Sequence, residues 1–111
     1  MANNFYLRTK AGVTTVQSVY TVGSSRTSIV IGCLLANVHA SSSAKVDVEI
    51  TTASTTGENA DNPKIVYQVP IPSGSSLEVL TGGKVVLETG DIVKVTSDVT
   101  IDVSLSVLEI S

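Results

Sequence analysis

The sequence predicts an all-β protein: a single antiparallel β-sandwich of about eight strands, of jelly-roll or immunoglobulin-like type. Three observations predict it. Short apolar runs recur at intervals of about 8–12 residues with turn-forming clusters between them, the spacing of sandwich strands. Val and Ile dominate the apolar set, and Ser and Thr, at 15 and 13 residues, make up about a quarter of the chain. β-branched side chains suit a pleated surface, and short hydroxyl side chains suit its wet face and its turns. Finally, several segments alternate strictly between apolar and polar residues, as a strand does when one face is packed and the other solvated.

The last third shows this most clearly. Residues 84–87, 92–96 and 101–107 are apolar runs separated by Glu88-Thr89-Gly90-Asp91 and Ser97-Asp98, residue types that turn a chain. Three strands in such quick succession predict a β-meander. In the last of them Ile101, Val103, Leu105 and Val107 share one face, and Asp102, Ser104 and Ser106 the other. Beyond Val107 the pattern changes, because Leu108 and Ile110 are apolar on the face that had been polar. Either a bulge re-phases the strand or its end is covered on both faces, for instance by another subunit.

Earlier elements follow in order. Residues 1–15 predict an N-terminal arm or short edge strand carrying the cluster Phe5, Tyr6 and Leu7, and residues 16–111 the sandwich. Val16, Ser18, Tyr20 and Val22 alternate along a strand closed by Gly23-Ser24-Ser25-Arg26. Residues 28–38 form the most apolar run, which predicts a central strand covered on both faces. In the next strand Val46, Val48 and Ile50 point inward while Lys45, Asp47 and Glu49 point out. Residues 53–63 have no periodicity and predict a long exposed loop. The strand at 64–71 places Ile65, Tyr67, Val69 and Ile71 on one face. Its Pro70, with Pro72 beyond it, marks a strand end or a sheet edge, because proline cannot donate to a ladder. A short strand at 77–80 completes the set.

The totals narrow the function. With 111 residues the chain makes one domain that buries roughly two-thirds of its unfolded surface and needs no staple. Seven basic against ten acidic residues give a net charge of −3 without any cluster of one sign, so neither nucleic acid nor an anionic membrane is expected as a partner. The N-terminal residues lack the charge and apolar core of a signal peptide, and no apolar run reaches the ~20 residues of a membrane-spanning helix. The expected product is soluble and made in the cytoplasm. The single cysteine, Cys33, lies inside the most apolar run and is expected to pack as a small hydrophobe.

Residues able to do chemistry are sparse. The single histidine, His39, stands beside Ser41, Ser42 and Ser43, with Asp47 further on, yet adjacency along a loop does not assemble a Ser-His-Asp triad. One His and one Cys cannot hold zinc. Glu58, Asn59, Asp61 and Asn62 lack the spaced carboxylates and closing Glu of a calcium loop. Gly82-Gly83-Lys84 resembles the end of a phosphate-binding loop, but Glu78 stands where the first glycine belongs and Val85 where Ser or Thr would bind magnesium. Asp47 and Glu49 read as a solvated strand face. Of the aromatics, Tyr20 and Tyr67 fit core or half-core positions, which leaves too few for a base-stacking platform or a sugar-binding strip. No catalytic residue, cofactor or metal is expected.

Several segments together resemble one family: Val19-Tyr20-Thr21-Val22, the apolar strand ending in Ala36-Asn37, the stretch from Val69-Pro70-Ile71-Pro72 through Ser73-Gly74-Ser75-Ser76-Leu77, Val86-Leu87-Glu88-Thr89-Gly90-Asp91-Ile92-Val93-Lys94-Val95, and residues 103–109. They are similar to the small β-sandwich virion proteins of tailed bacteriophages. The resemblance implies a non-enzymatic structural component of the virion. It would be a homo-oligomeric capsid decoration or cement protein that binds the major capsid protein or another virion protein and stabilises the head lattice. The alternatives are a neck, tail or fibre-attachment component and, from a different class, a receptor- or glycan-binding module. The expected contact residues are Phe5, Tyr6, Leu7, Glu58, Asn59, Asp61, Leu108 and Ile110.

Overall fold

The computed structural model describes residues 3–53 and 61–111, so Glu58 and Asn59 lie outside the described residues. Those residues form nine strands and no helix: β1 (Asn3–Val13), β2 (Gln17–Thr21), β3 (Thr27–Asn37), β4 (Ala44–Thr51), β5 (Lys64–Ile71), β6 (Ser76–Glu78), β7 (Val85–Leu87), β8 (Ile92–Ser97) and β9 (Ile101–Ile110). They build two antiparallel sheets. The five-stranded sheet runs β1-β9-β3-β6 with β7 also on β3, and the four-stranded sheet runs β2-β8-β4-β5. The predicted all-β sandwich is therefore the observed fold.

The expected meander is corrected. β7 pairs with β3, β8 lies in the opposite sheet between β2 and β4, and β9 returns to lie between β1 and β3. Consecutive strands thus cross from sheet to sheet. The crossing has a packing reason, since each sheet then supplies one apolar face to a shared interior. Val30, Cys33, Leu35, Leu105 and Val107 come from the five-stranded sheet, and Val46, Val48, Val93 and Val95 from the four-stranded one, all buried. Each side chain of that size, fully buried, stabilises the fold by about 1.5–3 kcal/mol.

β1 is an eleven-residue strand at the edge of its sheet, longer than a short edge strand. It pairs with β9 without interruption from Asn3 to Lys10. A bulge then follows at Gly12, whose φ is 68° and whose N–H donates to the Asp102 carboxylate at 3.0 Å. The bulge turns Val13 into the core. β5 lies at the edge of the other sheet and ends at Ile71, so both placements that Pro70 allows are met. Gln68 there adopts a φ of 50° and gives its N–H to Asp47 at 2.6 Å. That break in phase corrects the expected half-core position of Tyr67, which is 63% exposed.

Turn chemistry is exacting at Gly90, with a φ of 86°. Asp91 holds this turn, accepting the Glu88 N–H at 2.9 Å and, across to the end of β4, the Ala53 N–H at 3.0 Å. A Cβ on Gly90 would lie 2.8 Å from that of Ala53. Gly90→Ala is therefore expected to cost about 1–3 kcal/mol from left-handed backbone strain plus the clash, read as a shift in the urea midpoint. An unchanged midpoint would show that the β4 end yields freely.

Candidate functional site

Glu109 occupies a core-facing position of β9 where the alternation calls for an apolar residue. No bulge re-phases β9 near its end: its register with β1 runs unbroken from Val103 to Ile110, so Glu109 points inward and Leu108 and Ile110 point out. The Glu109 carboxylate is buried yet partnered. It accepts the Tyr20 hydroxyl at 2.5 Å and pairs with Arg26 at 3.3 Å, and the same Tyr20 hydroxyl shares a 2.6 Å hydrogen bond with Ser28. Burial, and then the hydrogen bond to Glu109, hold the Tyr20 hydroxyl above its usual pKa. The cluster ties β2, β3 and β9 across the sandwich. The buried Tyr20 hydroxyl and Glu109 carboxylate are thus partnered within the fold, which accounts for a charge at a core-facing position.

The other sequence candidates for chemistry resolve the same way. His39 Nδ1 accepts the backbone N–H groups of Ser41 and Ser42 at 3.2 and 3.0 Å, and the imidazole thereby organises its own loop. Asp47 is engaged with Gln68 and with Lys64 in a neighbouring strand. Cys33 is buried beside a gap of about 10 Å³, room for one water at most. Burial pushes its thiol up to about 12, with the nearby Glu78 charge adding to the effect. Glu78 itself accepts the Cys33 N–H at 2.9 Å, steadying the bulge in β3. No group of three metal-ligating side chains occurs among the described residues.

What the fold does present is an apolar row on the outward face of the five-stranded sheet. The register sets Phe5 opposite Leu108, Leu108 opposite Ile29, and Ile29 opposite Val86. Directly paired residues project to the same side of a sheet. These four side chains therefore cross β1, β9, β3 and β7 in one line. Phe5 is 73% and Val86 63% exposed, while Leu108 and Ile29 are half-buried. Leu7, Ile110 and Leu34 flank the row on the same face, paired with Ser106, Asn3 and Ser104.

Three sequence-derived contact candidates thus come together with Phe5: Leu7, Leu108 and Ile110. Tyr6 does not join them. It pairs with Val107 on the inward side and stacks under the Arg8 guanidinium at 4.4 Å. Asp61 lines an open cleft with Pro63, Val85, Val86 and Glu88, so it adjoins the row at its β7 end. Ile29 and Val86 were not singled out from sequence. The expectation that β3 is covered on both faces is also corrected: among the described residues its outer face, with Ile31 38% and Leu34 41% exposed, stays open. The excess of apolar residues in β3 is the available signal, and it marks a face left uncovered among the described residues.

No family model matches the chain, and no curated protein matches it. Two solved structures share its fold. One is a chain from Bacillus endospore appendages, described as a novel family of disulfide-linked pili, with a TM-score of 0.53 and 12% identity over 99% of this chain and 87% of that one. The other is from the structure of infectious bursal disease virus, Gx strain, with a TM-score of 0.56 and 12% identity over 98% of this chain. This chain spans 33% of that viral chain. At such identity the likeness is one of fold. The disulfide linkage of the appendage has no evident counterpart here, because the single cysteine is buried.

Proposed function

We propose that this protein is a structural subunit of a virus particle, a decoration protein that lays the outer face of its five-stranded sheet on the head of a tailed phage and stabilises the lattice. The exposed row Phe5-Leu108-Ile29-Val86 carries the reading. Side chains of this size cluster on a soluble surface where a partner covers them, with an aromatic anchor at the centre and polar groups around it. Leu7, Ile110 and Leu34 extend the patch, and Thr9, Thr27 and Ser104 supply a polar surround. That two proteins sharing the fold come from an appendage and a virus supports a role in repeated assembly, as does the engagement of Glu109, His39 Nδ1 and Asp47 with structural partners. The alternative placement, at the neck or tail, uses the same face.

Immunogold labelling of particles from the phage that encodes the chain is expected to cover the whole head. Label confined to the neck or tail would move the subunit there, and unlabelled particles would overturn the proposal. Val86→Asp and Phe5→Asp, at the two exposed ends of the row, are each expected to weaken incorporation about thirtyfold, the scale of a contact worth about 2 kcal/mol. Their melting temperatures should be little changed, because both side chains are mostly exposed. Full incorporation of both variants would exclude this face.

A further inference from the structure

A sheet edge is a row of unpaired N–H and C=O groups, and folded proteins blunt such edges or use them. Three edges of this sandwich are blunted. β5 carries Pro70, the left-handed Gln68 and two register shifts. β2 is five residues long and shifts register between Ser18 and Tyr20. Beyond β3 lie only β6 and β7, three residues each. β1 differs from all of them. Its stretch from Asn3 to Lys10 is continuous, free of proline and unshifted, and among the described residues no strand covers its outer edge. The Arg8 guanidinium touches the Leu7 carbonyl at 3.1 Å, an exposed contact that another strand can replace. Within the chain, β1 buries only Val13 fully.

We infer that β1 is a self-complementary edge through which two copies of this chain pair antiparallel, centred on Leu7, so that two five-stranded sheets become one. The charges select the register. Tyr6, Arg8 and Lys10 alternate along the inward side of β1, and centring on Arg8 or Thr9 would set cation against cation. Centring on Leu7 sets Tyr6 against the partner's Arg8, repeating between copies the cation-π stacking that Arg8 and Tyr6 already make within one, and sets Asn4 against Lys10. On the outward side Leu7 meets its own copy, and Phe5 stands directly opposite Thr9 next to it. A two-fold axis perpendicular to the sheet keeps outward faces together, so the apolar rows of both copies join. This deepens the lattice-docking proposal but stands on the edge and not on the face.

Light scattering on the full chain at about 100 μM, where a micromolar contact is saturated, is expected to give twice the 11.5 kDa monomer mass. Under mild oxidation Leu7→Cys should cross-link to itself and Phe5→Cys should not, whereas Phe5→Cys mixed with Thr9→Cys should cross-link. The buried Cys33 stays silent. A monomer at that concentration would overturn the inference, and so would Phe5→Cys cross-linking to itself, which would signal stacking of the apolar faces. Val86 lies at the far side of the sheet from β1. A monomer whose incorporation still depends on Val86 would therefore refute edge pairing while leaving the docking face intact.

Discussion

Between pH 9 and 12 the folded chain is expected to lose about 4 kcal/mol of stability to one thiol. In the unfolded chain Cys33 ionises near 9.0, whereas in the fold its burial holds the proton until about 12. A folded-state pKa that is raised gives no penalty below the unfolded value. Above it, the unfolded state alone releases the proton, and stability falls until the folded value is reached. Three pH units at about 1.36 kcal/mol each give the total, and the 2% exposure of Cys33 leaves little solvent to screen it. Urea titrations at pH 8, 9, 10 and 11 should show wild-type stability falling with pH. Cys33→Val, close in shape and without a proton to lose, should flatten the fall between pH 9 and 10. Above pH 10 a smaller decline should persist, because the raised pKa of Tyr20 acts in the same direction. An equally steep fall in Cys33→Val would clear the thiol of responsibility.

Replacing Glu109 is the second large effect. Glu109→Ala removes the acceptor of the buried Tyr20 hydroxyl and the partner of Arg26 together. Hydrogen bonds to a charged group are each worth about 1.5–3 kcal/mol, but Tyr20 keeps Ser28 and Arg26 is half exposed and can hydrate. The net loss is therefore placed at about 2–4 kcal/mol, a fall in Tm of roughly 10–20 °C for a domain of this size. Arg26→Ala should cost less than about 1 kcal/mol, because the carboxylate retains the tyrosine. Equal losses for the two variants would mean that the ion pair, and not the hydroxyl, neutralises Glu109. Differential scanning calorimetry of both decides it.

Local patterns were readable and pairings were not. Val46-Val48-Ile50 and Ile101-Val103-Leu105-Val107 announced their inward faces because pleating alone sets a period of two. Pro70 announced a strand end or an edge because a missing N–H is a local fact. The meander was misread because strand partners are chosen by core formation across the whole chain, which residue spacing does not record. β1 looked irregular for a physical reason: with water on both faces, neither face demands apolar residues, so no alternation develops. The exposed apolar row is half legible. Leu108 and Ile110 broke a pattern and drew notice, whereas Ile29 sat inside a run so apolar that its outward position was hidden. Tyr67 was misplaced by the positive φ of Gln68, a conformation that glutamine gives no cause to expect.

The pairing of β1 with β9 also sets an order of events. Gly12 and Asp102 stand 90 positions apart, so a ribosome delivers β1 long before its neighbour in the sheet exists. Until β9 emerges, Phe5 and Leu7 have nothing to lie beside, and the edge that would meet another copy cannot form as a flat, registered strand. Closing so wide a loop is slow, in the milliseconds-to-seconds range of non-local β topologies. If the edge pairs as proposed, this order also makes a checkpoint: a fragment stopped short of β9 offers no finished edge, and only completed molecules would be competent to pair.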